Sequence, residues 1–267
     1  MSVQAIQRGV APGRSIPLHT ADVLWTLVRT DFKTRYHGTL GGFVWALLKP
    51  LAMFIVLFSV FSFVFVAEPS YRLYLVLGLF LYEFFTESTR TGVLALSSKA
   101  FLLRKAKFPS WIIVLTSLAN ALITLTIFTI VLLTVLAASG RAPSPLHVAL
   151  YLFYLALFVV IVLGISLGAS VLFLRYRDLN QVWDVIIQAG MFLAPVVYPL
   201  RVIPLRIHFY LYLWPPTPII QFSRSVLIDG TIPTFRAHVM LIVMAATIFG
   251  LGLTIYRRFA PSAAEYL

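Results

Sequence analysis

Six apolar runs, each close to or beyond the length of a bilayer crossing, constrain this chain more than any short motif does: residues 43–67, 73–96, 110–138, 148–174, 179–198 and 237–256. A helix needs about 20 mostly apolar residues to span about 30 Å of hydrocarbon. A chain of 267 residues has too little polar surface to hide all six from water, being 60% hydrophobic and only 11% charged, where soluble domains carry about 25% charge. Lipid is therefore the expected solvent. Backbone groups in lipid must be paired within their own segment, which selects helices. The expected fold is an all-α membrane protein of six transmembrane helices, residues 43–267, behind an N-terminal segment, residues 1–42. The first run is entered through Lys49 and Pro50, and proline suits the first turn of its apolar part because the missing N–H would be unpaired there anyway.

The net charge of +12 suits nucleic acid only if the cations gather on one soluble face, and here they lie between the apolar runs. Their distribution reads as topology, since positively charged loops stay on the cytoplasmic side. With the N-terminus inside, fourteen of the 21 Lys and Arg fall on the inner side, six on the outer side, and Arg90 within a run. Both termini are expected in the cytoplasm. The first 40 residues carry no apolar core with a small-residue cleavage site, so insertion is expected to begin with the first internal run.

Two stretches are not expected to cross. Over residues 21–36, Ala21, Trp25, Val28, Phe32 and Tyr36 recur at helical spacing while Asp22, Thr26, Arg29 and Lys33 take another face, the pattern of an amphipathic helix lying in the inner interface. Between the fifth and sixth runs, Pro199, Pro204, Pro215, Pro216, Pro218 and Pro233 punctuate a segment rich in Leu, Ile, Tyr and Phe. Short re-entrant or interfacial helices fit it better than a free loop.

Catalysis finds little support. An ATPase needs a glycine-rich phosphate loop ending in Gly-Lys-Ser/Thr, and the lysine that precedes a hydroxyl residue, Lys33, follows Phe32. His19, His37, His147, His208 and His238 are scattered, with no pair at metal-ligand spacing, and there is no Cys. No catalytic residue, metal or cofactor is assigned to the chain.

The second run holds Glu83, Glu87 and Arg90 at i, i+4 and i+7, on one helix face. Charges at mid-membrane cost about 2.5–3.5 kcal/mol each on insertion scales, so they face water or the bundle interior. They form either a polar seam at a gate or path, or a local Glu87–Arg90 neutralisation. In the inner connection 99–109, Lys99, Arg104, Lys105 and Lys107 hold the loop inside. Phe101, Leu102, Leu103 and Phe108, ending at Pro109, supply apolar groups for a short helix that docks on a partner, with the cations steering encounter. Gly164 and Gly168 allow close helix approach within the chain. The aromatics Phe54, Phe58, Phe61, Phe65, Tyr82, Phe84 and Phe85 are read first as core or lipid-facing, with stacking on sugar rings as the functional alternative.

Taken in order, the stretches 33–50 (Lys33, Trp45, Lys49, Pro50), 99–109, 173–178 (Arg175, Arg177, Asp178) and 194–199 (Ala194, Pro195, Tyr198, Pro199) resemble the type-2 ABC permease family, and within it the subunits that export O-antigen, capsule or teichoic-acid polysaccharides. The resemblance implies a homodimer of six-helix subunits in the inner membrane, bound to two separate ATP-binding cassette subunits that hold ATP and Mg, moving a lipid-linked glycan outward among membrane lipids. It implies an ATPase-coupling role for the residues of 99–109 named above. Gate or channel positions follow for Phe32, Tyr36, Trp45, Glu83, Glu87, Arg90, Arg177 and Asp178. Residues 213–218, Leu213-Trp214-Pro215-Pro216-Thr217-Pro218, depart from the family at a place where an Asn-Pro pair is frequent. A drug or small-lipid exporter of the same family, a proton-coupled secondary transporter and a membrane-bound transferase are the alternatives.

Overall fold

The structure is a computed structural model that describes residues 20–36, 42, 44–65, 70–105 and 109–261, without the side chains of 20, 21, 35, 36, 104 and 105. Every regular element among them is helical: α1 Thr20–Tyr36, α2 Val44–Phe61, α3 Tyr71–Ser98, α4 Ala100–Lys105, α5 Trp111–Ser117, α6 Ala119–Ala138, α7 Pro145–Arg175, α8 Leu179–Leu193, a 3-10 turn at Leu200–Val202, α9 Leu205–Tyr212, α10 Pro216–Leu227 and α11 Phe235–Phe259.

Four segments are long and apolar enough to cross a membrane: Val44–Phe61, Trp111–Ala138 (α5 and α6 in line), Pro145–Arg175 and Phe235–Phe259. The run at 73–96 becomes α3, which has the length, at 28 residues, but carries Arg72, Glu83, Glu87 and Arg90. The run at 179–198 is helical only to Leu193. Ala194 turns to extended backbone at ψ 128° because the ring of Pro195 disfavours helix in the residue before it. The 15 residues of α8 then rise about 22 Å. Pro50 also sits differently from expectation. Helix α2 begins at Val44, so the proline lies inside the helix and is the residue α2 buries.

Side-chain capping sets two helix starts. Ser144 accepts from the His147 amide with Pro145 in the first turn, and Thr234 accepts from the Ala237 amide, each pairing one of the donors a helix N-terminus leaves free. Just before the first of them, Gly140, at φ +69°, ends the turn after α6 in the left-handed region that glycine enters without penalty.

Helices α3 and α7 form the centre, with α5, α8 and α10 packed on both and α11 along α7. Leu75, Leu77, Leu81 and Phe85 of α3 and Tyr151, Tyr154, Phe158 and Ile161 of α7 are fully enclosed. Phe85 stacks on Phe158 at 5.9 Å, and Phe80 on Phe128 of α6 at 3.8 Å. The outside is apolar too, with Val56, Phe192, Met240 and Leu251 exposed, as a lipid-solvated bundle requires. Gly164 and Gly168 do serve packing within the chain. They meet Gly252 of α11 so closely that a Cβ on Gly252 would lie 1.8 Å from the Gly164 carbonyl oxygen.

Candidate functional site: a polar crevice and its flanking charges

Helix α2 lies against α3 and α6 and leaves a cavity of about 280 Å³ between them. From α2 come Trp45, Ala46, Lys49 and Pro50, from α3 Phe80, Glu83, Phe84 and Glu87, and from α6 Asn120, Ala121, Thr124 and Leu125. The i, i+4 spacing that put Glu83 and Glu87 on one face of a helix is what brings both to this wall. Lys49 Nζ donates to Glu83 Oε1 at 2.6 Å, bridging α2 to α3. The amide oxygen of Asn120 is buried and has no hydrogen-bond partner among the described residues.

The polar face continues past the cavity. One turn beyond Glu87, the Arg90 Nε–H donates to Asp184 Oδ1 of α8 at 2.7 Å. Two of the charged groups of α3, Glu83 and Arg90, are thus partnered from helices on both sides, by Lys49 and by Asp184. In hydrocarbon such pairing removes the penalty that an isolated charge would carry.

At the C-terminal end of α3, Lys99 forms an ion pair with Asp31 of α1, and both side chains are largely covered, at 16% and 24% exposure. Val23, Leu24, Leu27, Val28 and Phe32 are half-buried with Asp31 along one side of α1, which packs against α5 and α6. Trp25, read in the sequence as part of the apolar stripe, points away from it and is exposed. The expected short helix in 99–109 is α4, with Phe101 64% exposed. Leu103 instead turns inward onto the cluster of Leu96, Val114 and Tyr256. The hydroxyls of Ser110 and Tyr256, 2.5 Å apart, tie the start of α5 to the end of α11. Leu102 is half-buried and Pro109 exposed. The side chains of Tyr36, Arg104 and Lys105, and the whole of Lys107 and Phe108, lie outside the described residues.

The pair makes a testable claim. Asp31→Lys or Lys99→Glu alone should each lower the melting temperature of the detergent-solubilised protein by about 2–4 °C, the shift expected for ~1 kcal/mol in a chain of this size. The double exchange should recover most of it. Additive losses in the double variant would show that the two side chains do not support each other.

Of the expected gate positions, Trp45, Glu83 and Glu87 meet at the cavity and Arg90 extends their line. Phe32 belongs to α1, and Arg177 and Asp178 sit exposed in the α7–α8 turn, so these three do not join the cavity. Three residues went unseen in the sequence reading: Asp31, Asp184 and Arg224. The last had been counted as an outer-loop cation, yet it is 3% exposed. Its guanidinium donates to the carbonyls of Pro195 at 2.6 Å, Val196 at 2.9 Å and Tyr74 at 2.7 Å. The available signal was an arginine inside the apolar stretch of α10, since ionisable groups at membrane depth are rarely idle.

A family profile described as ABC-2 type transporter matches residues 22–228. The chain belongs to the ABC-2 type transporter family. The matched region runs from α1 through α10, so the crevice, the three ion pairs and Arg224 all lie within the ABC-2 portion. An O-antigen export system permease protein RfbA of Klebsiella pneumoniae is 24% identical over 247 residues, covering 92% of this chain and 95% of that protein. The protein of the same name from Myxococcus xanthus is 27% identical over 186 residues, covering 68% and 70%. Polysialic acid transport protein KpsM of Escherichia coli is 23% identical over 232 residues, covering 85% and 89%. ABC-2 membership makes this a membrane protein of transport.

Proposed function

We propose that this chain is the membrane-spanning subunit of an ATP-driven exporter that moves a lipid-linked polysaccharide outward across the inner membrane. One observation carries the reading: near end-to-end similarity to permeases named for O-antigen export, with a polysialic acid transport protein also similar over most of its length. Those names favour a glycan over a drug or small lipid as cargo. The working unit is a homodimer with two ATP-binding cassette subunits, which hold ATP and Mg²⁺.

In this reading α3 and α8 complete a six-span bundle with both termini in the cytoplasm. The charges of α3 are made compatible with lipid by Lys49 and Asp184, and α9 and α10 are the re-entrant pair at the outer surface. The crevice at Trp45, Glu83 and Glu87 lies beside the path, and α4 meets the ATPase through Phe101.

The test is Phe101→Asp. A charge at the centre of a docking patch removes most of its affinity, whereas rim cations mainly govern encounter. The variant should insert at wild-type levels, lose at least ten-fold in co-purified ATPase subunit, and leave the cell surface without the polysaccharide. Wild-type levels of both ATPase and surface glycan would remove α4 from the coupling route.

A further inference from the structure

We infer that the crevice between α2, α3 and α6 is a binding site for one inner-leaflet phospholipid whose zwitterionic headgroup carries a primary amine. The polar cavity is followed along the same three helices by a second, of about 330 Å³, lined by Leu47, Leu51, Phe54, Val76 and Phe128, with Arg72, stacked on the Phe58 ring, as its one charged wall residue among the described residues. Phe80 belongs to the walls of both. A polar end and an apolar end in series match an amphipathic molecule.

The depth fits one leaflet. Trp45 lies on the polar cavity and Phe54 on the apolar one, and the helix between them rises about 14 Å. That is roughly half of the ~30 Å hydrocarbon thickness. The polar end is at the N-terminal end of α2, the side that the cation distribution puts at the inner surface.

Charge selects the headgroup. Among the described residues, the polar end presents one ammonium, on Lys49, already paired with the Glu83 carboxylate at 2.6 Å, and a second carboxylate, on Glu87, so an occupant joins an existing ion pair. A headgroup with one phosphate and one amine offers the reciprocal set, phosphate toward Lys49 and amine toward the carboxylates. A doubly anionic headgroup or a pyrophosphate would bring its second negative charge against Glu83 and Glu87. The buried Asn120 oxygen in the same wall, without a partner among the described residues, is a further acceptor suited to an N–H donor. Packing argues the same way, because α2 buries only Pro50 among its residues and an occupant would complete its contact with α3 and α6.

The inference does not depend on which cargo is exported. Its test is native mass spectrometry of the full-length protein, titrated with phosphatidylethanolamine, phosphatidylcholine or phosphatidylglycerol of identical acyl chains. On the unaltered protein the ethanolamine lipid should bind one site per chain at least ten-fold tighter than the glycerol lipid. The choline lipid should fall between them, because its quaternary ammonium cannot donate a hydrogen bond. Glu83→Gln with Glu87→Gln should abolish that order, and Val76→Trp should weaken all three lipids together. Equal binding of the three by the wild type overturns the inference without any variant, and so does preference for the anionic lipid. A discrimination that survives the double Gln variant overturns it as well, and displacement of the ethanolamine lipid by a polyprenyl pyrophosphate would assign the crevice to the transported lipid instead.

Discussion

Replacing Gly252 by alanine is expected to deprive cells of folded protein, while the same change two residues away, at Gly250, is expected to leave it intact. A Cβ at 252 would lie 1.8 Å from the Gly164 oxygen, 2.5 Å from its carbonyl carbon and 2.9 Å from its Cα. These are backbone atoms, so no rotamer change relieves the clash. The axes of α7 and α11 would have to separate along an interface that runs much of their length. Overpacking of this kind costs several kcal/mol, at or beyond the ~4 kcal/mol that marks exceptional substitutions. A Cβ at 250 meets nothing within 4 Å, and alanine there improves helix propensity by up to ~1 kcal/mol. Detergent extraction followed by size-exclusion chromatography of a fluorescent fusion reads both outcomes. If Gly252→Ala elutes as sharply and as abundantly as Gly250→Ala, the backbone contact between α7 and α11 is not present in the membrane.

The second large effect is expected at Arg224. Its guanidinium ties α10 to the irregular stretch after α8 through Pro195 and Val196, and to the N-terminal part of α3 through Tyr74. Gly78 makes room for it, since a Cβ there would stand 2.6 Å from Nη2. Arg224→Met keeps bulk and removes the donors, leaving the carbonyls it served short of partners at about 1–3 kcal/mol each. The expected outcome is a melting temperature lower by more than about 5 °C, with new proteolytic cleavage between α8 and α10. Arg224→Lys should do little better, because one ammonium cannot reproduce a planar fork reaching three carbonyls. A melting curve within a degree of wild type would mean that α10 is held to α3 and the stretch after α8 by other contacts.

These two residues also show how far the sequence could be read. Apolar run length located the cores of α2, α3, the α5–α6 rod, α7 and α11, because lipid imposes length and hydrophobicity on any one segment without help from the rest of the chain. Gly164 and Gly168 advertised close approach, but their partner Gly252 lies in another helix and carries no local signal. Arg224 was counted as a loop cation because a charge tally treats every basic residue outside a long apolar run as solvated. Local periodicity put Glu83, Glu87 and Arg90 on one face correctly. It could not supply Lys49, Asp184 or Asp31, whose pairings join residues tens of positions apart. Helix α1 was legible in extent and its polar face in detail. Its buried stripe was displaced past Trp25 because the surface of α5 and α6, not α1 alone, decides which side is covered.

Burial is distributed unevenly through the bundle. Helix α3 encloses residues along its whole length, and α7 and α11 touch backbone to backbone, whereas α2 buries only Pro50 and α8 only Ile187 and Gly190. Rearrangement is cheapest where the fewest packed contacts must be undone. By that measure α2 and α8 are the walls most easily displaced from a stator of α3, α7, α10 and α11: among the described residues α2 is held to it through Lys49 on Glu83 and Arg72 over the Phe58 ring, and α8 through Asp184 on Arg90 and the Tyr82 hydroxyl on the Ile187 carbonyl.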